Sequence, residues 1–71
     1  RLTFAELDAR VDRLARLLAE GGIPEERAPG IAVTLISASE GAVILARAEK
    51  SFEPFDLVAA EELARIRAAM R

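Results

Sequence analysis

A chain of 71 residues is too short for a large active-site cleft between subdomains, because one domain usually takes ~100 to 200 residues. Hydrophobic residues at 52% and charged residues at 31% are sufficient to pack a core, so we expect the chain to fold. The sequence contains no Cys and no His, which excludes a disulfide framework, a thiolate zinc site and the commonest general base. A net charge of −2, with Phe as the only aromatic residue type, predicts that nucleic acid is not a partner.

Membrane insertion and export are not indicated by the sequence. Its apolar runs are shorter than the ~20 residues that span a bilayer, and its first residues lack the charged and apolar segments of a signal peptide. We therefore expect no membrane partner and a cytoplasmic location.

The first predicted element is a helix that begins at a capping box. Thr3 and Glu6 have the spacing at which each side chain accepts a hydrogen bond from the other's backbone N–H. Leu2 is placed to pack on Leu7 as a hydrophobic staple. Gly residues 21 and 22, followed by Pro24, are expected to end the helix. Apolar residues recur along it at steps of three and four, which is the pattern of a buried helix face: Phe4, Leu7, Val11, Leu14 and Leu18.

The middle of the chain is predicted to contain a strand. Residues 23–30 are rich in Pro, Gly and charged residues and indicate a connection, and the β-branched run 31–36 indicates a buried strand. Residues 38–48 leave two structures open. Ser37 and Glu40 match a capping box and favour a helix, whereas Gly41 favours the turn of a β-hairpin.

The last predicted element is a second helix. Residues 52–55 alternate apolar and polar side chains around Pro54, which indicates a short edge stretch, and Asp56 is expected to cap a helix that ends at Ala69 or Met70. Its predicted inward face consists of Ala59, Leu63, Ile66 and Met70. The elements together predict an α/β fold, with α+β not excluded. They form a small single layer of a long N-terminal helix, a short sheet and a C-terminal helix. Residues 1–71 are interpreted as one small domain or a subdomain fragment.

The potentially reactive side chains do not form a recognisable site. The two pairs of adjacent carboxylates, at residues 25–26 and 61–62, do not share a helix face, and we expect them in a solvated loop and a solvated first helical turn. The Ser residues lack a His to activate them, Lys50 shows no sign of desolvation, and Gly30 and Gly41 do not have phosphate-loop spacing. We therefore predict no catalytic, cofactor-binding or metal-binding residue, and no cofactor.

Residues 2–10, with the Arg- and Leu-rich segment 13–18, resemble the start of an adenylation domain in the adenylate-forming family. This family includes nonribosomal peptide synthetase adenylation domains and acyl-CoA ligases. Residues 22–24 and Arg27 continue the similarity. Residues 47–56 resemble the family's core stretch Lys-Ala-Gly-x-Ala-Tyr-x-Pro-Leu-Asp, and Glu62, Leu63 and Met70 are similar to the helix that follows that stretch.

The resemblance implies a fragment or a repurposed remnant of the N-terminal edge of such a domain. The family's phosphate-binding loop, its pockets and its catalytic Lys lie beyond the matched region, so no catalytic residue is carried over. The implied function is a non-catalytic structural or docking module of peptide-synthetase-like assembly-line biosynthesis. Its partner would be a protein or the remainder of an adenylation domain.

Two alternative functions stay open. The chain is either a fragment of an amino-acid or acyl adenylating enzyme that is active only with the rest of its domain, or an unrelated small homodimeric interaction protein. We expect no enzymatic activity from these 71 residues alone.

Overall fold

A computed structural model describes residues 3–70 and shows three helices. They are α1 (Phe4–Glu20), α2 (Ala28–Glu49) and α3 (Glu53–Ala69). The predicted α/β fold is wrong, because residues 3–70 contain no strand and therefore no sheet.

The structure confirms the first predicted helix. The Glu6 backbone N–H donates to the Thr3 hydroxyl at 3.1 Å, and the Thr3 N–H donates to the Glu6 carboxylate at 3.2 Å. The helix ends at Gly21, and the following Gly22 has a φ of 114°, a conformation that favours glycine. The predicted staple from Leu2 lies outside the described residues. The apolar side chains of the stripe are half-buried, except Phe4, which is exposed: Leu7, Val11, Leu14 and Leu18.

The predicted strand at residues 31–36 is wrong. Of the two structures considered for residues 38–48, the β-hairpin is wrong and the helix is confirmed, although the helix does not begin at Ser37. All of these residues belong to α2, a continuous helix of 22 residues. The apolar segment has no Pro or Asn after Pro29 and is much longer than a typical strand of ~5 to 6 residues, which favours a helix. Ser37 lies exposed within the helix rather than at its start, so the second predicted capping box is absent from α2.

The start of α3 also differs from the prediction. Phe52, not Asp56, is the N-cap residue, and Pro54 lies in the first turn. Backbone N–H groups in the first turn have no acceptor within the helix, so the N–H that Pro lacks costs no hydrogen bond. The Ser51 hydroxyl accepts a hydrogen bond from the Glu53 N–H at 3.1 Å. Residues 52–55 are therefore the beginning of a helix and not an edge stretch. The predicted end of the helix, at Ala69, is confirmed.

The three helices form one layer in which α2 is central. Both α1 and α3 pack on α2, and the overall dimensions are 37 × 30 × 13 Å, so the thickness is close to that of one helix. The main cluster lies where the turn between α1 and α2 meets the end of α3. There Ile23 packs with Ala28 and Ala69.

Little of the layer is enclosed. The buried apolar residues in the described part of the chain are Ile23, Ala28, Ala32, Ala42 and Ala69, and four of these five are Ala. The accessible surface of 5451 Å² exceeds by about a quarter the ~4,300 Å² expected of a compact protein of this mass. A single helical layer differs in this respect from most domains, which bury their apolar faces between two or more packed layers.

α2 is long and apolar enough, by length and composition, to cross a membrane. One such helix is weak evidence for a membrane protein, because the core helices of soluble proteins have the same length and composition.

Candidate functional site

One candidate surface is an uncharged stripe on the side of α2 opposite its buried residues. At its N-terminal end, Gly30 and Thr34 also line an open cavity with residues of α3. The buried residues Ala28, Ala32 and Ala42 lie on one side of the helix, and the stripe lies on the opposite side at ~100° per residue. We call the stripe the α2 seam. Its members follow one another at alternating steps of four and three residues: Gly30, Thr34, Ser37, Gly41, Ile44 and Ala48.

The α2 seam is open and smooth. A Cβ atom added at Gly30 or Gly41 would meet no atom within 4 Å, and the Ile44 side chain is 67% exposed. The Thr34 hydroxyl donates to the Gly30 carbonyl at 2.9 Å, so its hydrogen is satisfied within the helix. Small side chains allow the backbone of a second helix to approach closely. The seam therefore has the properties of a helix-packing surface.

The second candidate surface is a groove between α2 and α3 with a volume of about 320 Å³, which we call the α2–α3 groove. Two of its lining residues are polar, Ser39 and Glu62. The Ser39 hydroxyl donates to the Leu35 carbonyl at 2.8 Å. The remaining walls are apolar and come from both helices: Leu35 and Ala42 from α2, and Phe55, Val58, Ala59, Leu63 and Ile66 from α3.

Glu62 is the one charged residue that is buried within residues 3–70, with 8% of its surface exposed. No side chain in the described segment forms a hydrogen bond or ion pair with it, and the neighbouring Arg65 instead contacts Glu61 at 3.9 Å. No buried side-chain oxygen in that segment is sealed away from solvent without a partner. The Glu62 carboxylate must therefore reach a cavity that the residue lines.

Glu62 also lines a wider, open cavity of about 660 Å³ on the other side of the helix contact. The charged residues of that cavity are of both signs: Glu26, Arg27, Glu62 and Arg65. In the α2–α3 groove, by contrast, Glu62 is the one charged lining residue. The groove is therefore mainly apolar, and Glu62 lines both the groove and the charged cavity.

The structure places the carboxylates from the sequence analysis in different environments. Glu25 and Glu26 are exposed in the turn before α2, as expected, and Glu61 is exposed on α3. The expectation of a solvated first turn is wrong for Glu62, which lies in the middle of α3 and is buried.

The predicted inward face of α3 is also wrong in part. Ala59, Leu63 and Met70 are exposed, and the face on α2 is centred on Glu62. A signal for this face was present, because Phe55, Val58, Glu62, Ile66 and Ala69 recur at steps of three and four. Of the described residues, no group of three or more acidic side chains is arranged to hold a metal ion. The absence of catalytic, cofactor-binding and metal-binding residues stays a prediction.

The family of the chain is shown by comparison with known proteins. Residues 3–61 match the family described as "Transcriptional regulator LmrA/YxaF-like, C-terminal domain", a C-terminal domain of TetR-family regulators. The match covers more than half of the chain, and the chain therefore belongs to this family. No curated protein and no solved structure matches it.

Membership of this family corrects the resemblance to adenylate-forming enzymes. The match includes the segments that carried the resemblance, such as residues 3–10 and 47–56. The capping box and apolar stripe in the first segment are general features of amphipathic helices and do not identify an adenylation domain. The docking function in assembly-line biosynthesis, the adenylating-enzyme fragment, the unrelated interaction protein and the adenylation-domain partner are all wrong.

Regulators of this family are generally soluble and cytoplasmic, and their C-terminal domains typically dimerise.

Proposed function

We propose that the chain is the dimerisation and ligand-binding part of a soluble, cytoplasmic transcriptional regulator, and that the α2 seam is its contact with a second copy. The observation that carries this proposal is the seam itself, an uncharged stripe repeated over the length of α2. A net charge of −2 does not favour DNA contact by these 71 residues.

The spacing of the seam favours helix-to-helix packing. Alternating steps of four and three residues give a repeat of seven, which lets two helices stay in contact while crossing at about 20°. Because 31% of the residues in the chain are charged, six seam positions without a charge indicate a surface that is buried in an interface. Because a two-fold axis brings each helix against its own copy, Ser37 and Gly41 in the centre would lie at the closest approach.

The open surface of the layer is large enough for such an interface. The accessible surface is on the order of 1,100 Å² larger than expected of a compact protein of this mass, whereas each partner in a typical stable complex buries about 800 Å². Pairing two copies would therefore cover most of the excess.

The α2–α3 groove supports the ligand-binding part of the proposal. Its volume of about 320 Å³ lies at the lower end of the range of about 300 to 1,000 Å³ for small-molecule sites. Such sites typically combine apolar walls with a few polar groups, as Ser39 and Glu62 do in this groove.

Sedimentation velocity over a dilution series tests the dimer. We expect Ile44→Glu to convert the dimer to a monomer, because it places a charge within the seam. The matched control is Leu57→Glu on α3, where the Leu is 62% exposed compared with 67% for Ile44. The control should remain dimeric. A monomeric wild-type chain, or equal dissociation of both variants, would contradict the assignment of the seam.

We also propose that residues 1–71 fold and unfold as one structural unit. A single cooperative thermal transition, followed by circular dichroism on the same samples, is the expected result. Two separate transitions would show that the helices do not unfold together.

A further inference from the structure

We draw no further inference here: the strongest candidate, the open apolar cavity that Phe52 and Phe55 line at the turn between α2 and α3, carries none, because nothing in the structure shows what covers it and the charged residues adjacent to the turn are of both signs.

Discussion

Ile23 is the residue whose truncation should destabilise the fold most strongly. It lies in the turn between α1 and α2 and is 3% exposed. Side chains from all three helices surround it, including Leu18 from α1, Ala28 from α2 and Ala69 from α3. Because the other buried apolar residues of the described chain are Ala, Ile23 supplies the one large side chain at this junction that is fully buried.

The expected cost of Ile23→Ala follows from its burial. The substitution removes three carbon atoms, each contributing about 0.8 kcal/mol when buried, so the transfer term is about 2.4 kcal/mol. A cavity that the neighbours do not fill adds to this, which gives a total of about 2 to 4 kcal/mol. A folded chain of this length has a free energy of unfolding of about 4 to 10 kcal/mol, so the loss is a large fraction of the total.

Urea unfolding at a fixed protein concentration measures this cost, since the proposed dimerisation would make stability depend on concentration. The matched control is Leu17→Ala, which also removes three carbons but from a side chain that is 62% exposed, and it should cost less than about 1 kcal/mol. Equal losses of free energy of unfolding in the two variants would refute the assignment of Ile23 as the centre of the cluster.

Two further predictions concern the ends of helices. Lys50 has a φ of 53° at the C-cap of α2, so Lys50→Gly should relieve left-handed strain and raise the free energy of unfolding by about 0.5 to 1 kcal/mol; a lower melting temperature would contradict this. Hydrogen bonds with the Thr3 backbone N–H and with the Thr3 side chain hold the pKa of Glu6 below its ordinary value of 4.5. The positive charge of Arg10 makes a smaller contribution. The stabilisation from Glu6 is therefore present above that value and is lost as the pH falls through the lowered pKa. A carboxyl titration by NMR should show the pKa moving back towards 4.5 in Thr3→Ala, and a Glu6 pKa of 4.5 or more in the wild type would refute the capping interaction.

The first helix could be predicted from sequence because its signals are local. The capping box spans four residues, Gly22 marks the positive φ, and the amphipathic stripe falls on a single face. Each signal depends on neighbours within one or two helical turns and not on distant contacts. The predicted and observed boundaries of α1 therefore agree.

The middle helix could not be predicted in the same way because it has no strongly polar side. Its buried side contains Ala32 and Ala42, and its outer side contains the uncharged α2 seam. Without a polar side, the periodicity that distinguishes a helix from a strand is weak. The β-branched residues at 31, 33, 34 and 36 therefore favour a strand in the sequence analysis. In the structure, tertiary packing of the small residues overrides this preference and the segment is helical.

The buried Glu62 was missed for a different reason. A carboxylate is expected on a solvated surface, so the inward face of α3 was assigned to Ala59 and Leu63, which lie one position away from Val58 and Glu62. On a helix of ~3.6 residues per turn, that difference rotates the face by about 100°. Burial of Glu62 against α2 could not be inferred from α3 alone, because it depends on where α2 packs.

The properties of α2 connect these observations. A helix this rich in apolar residues is stable in water only if its apolar side chains are covered, and the layer leaves Val33, Ile44 and Leu45 in α2 between 49% and 67% exposed. The same composition makes this helix long and apolar enough to cross a membrane. Two features of the seam favour a protein partner over lipid: its alternating spacing, and the small residues Gly30, Ser37 and Gly41, which bring little apolar surface to a lipid chain but permit close helix packing. The covering of α2 by a second copy would therefore account for its composition, its exposed seam and the thinness of the layer together.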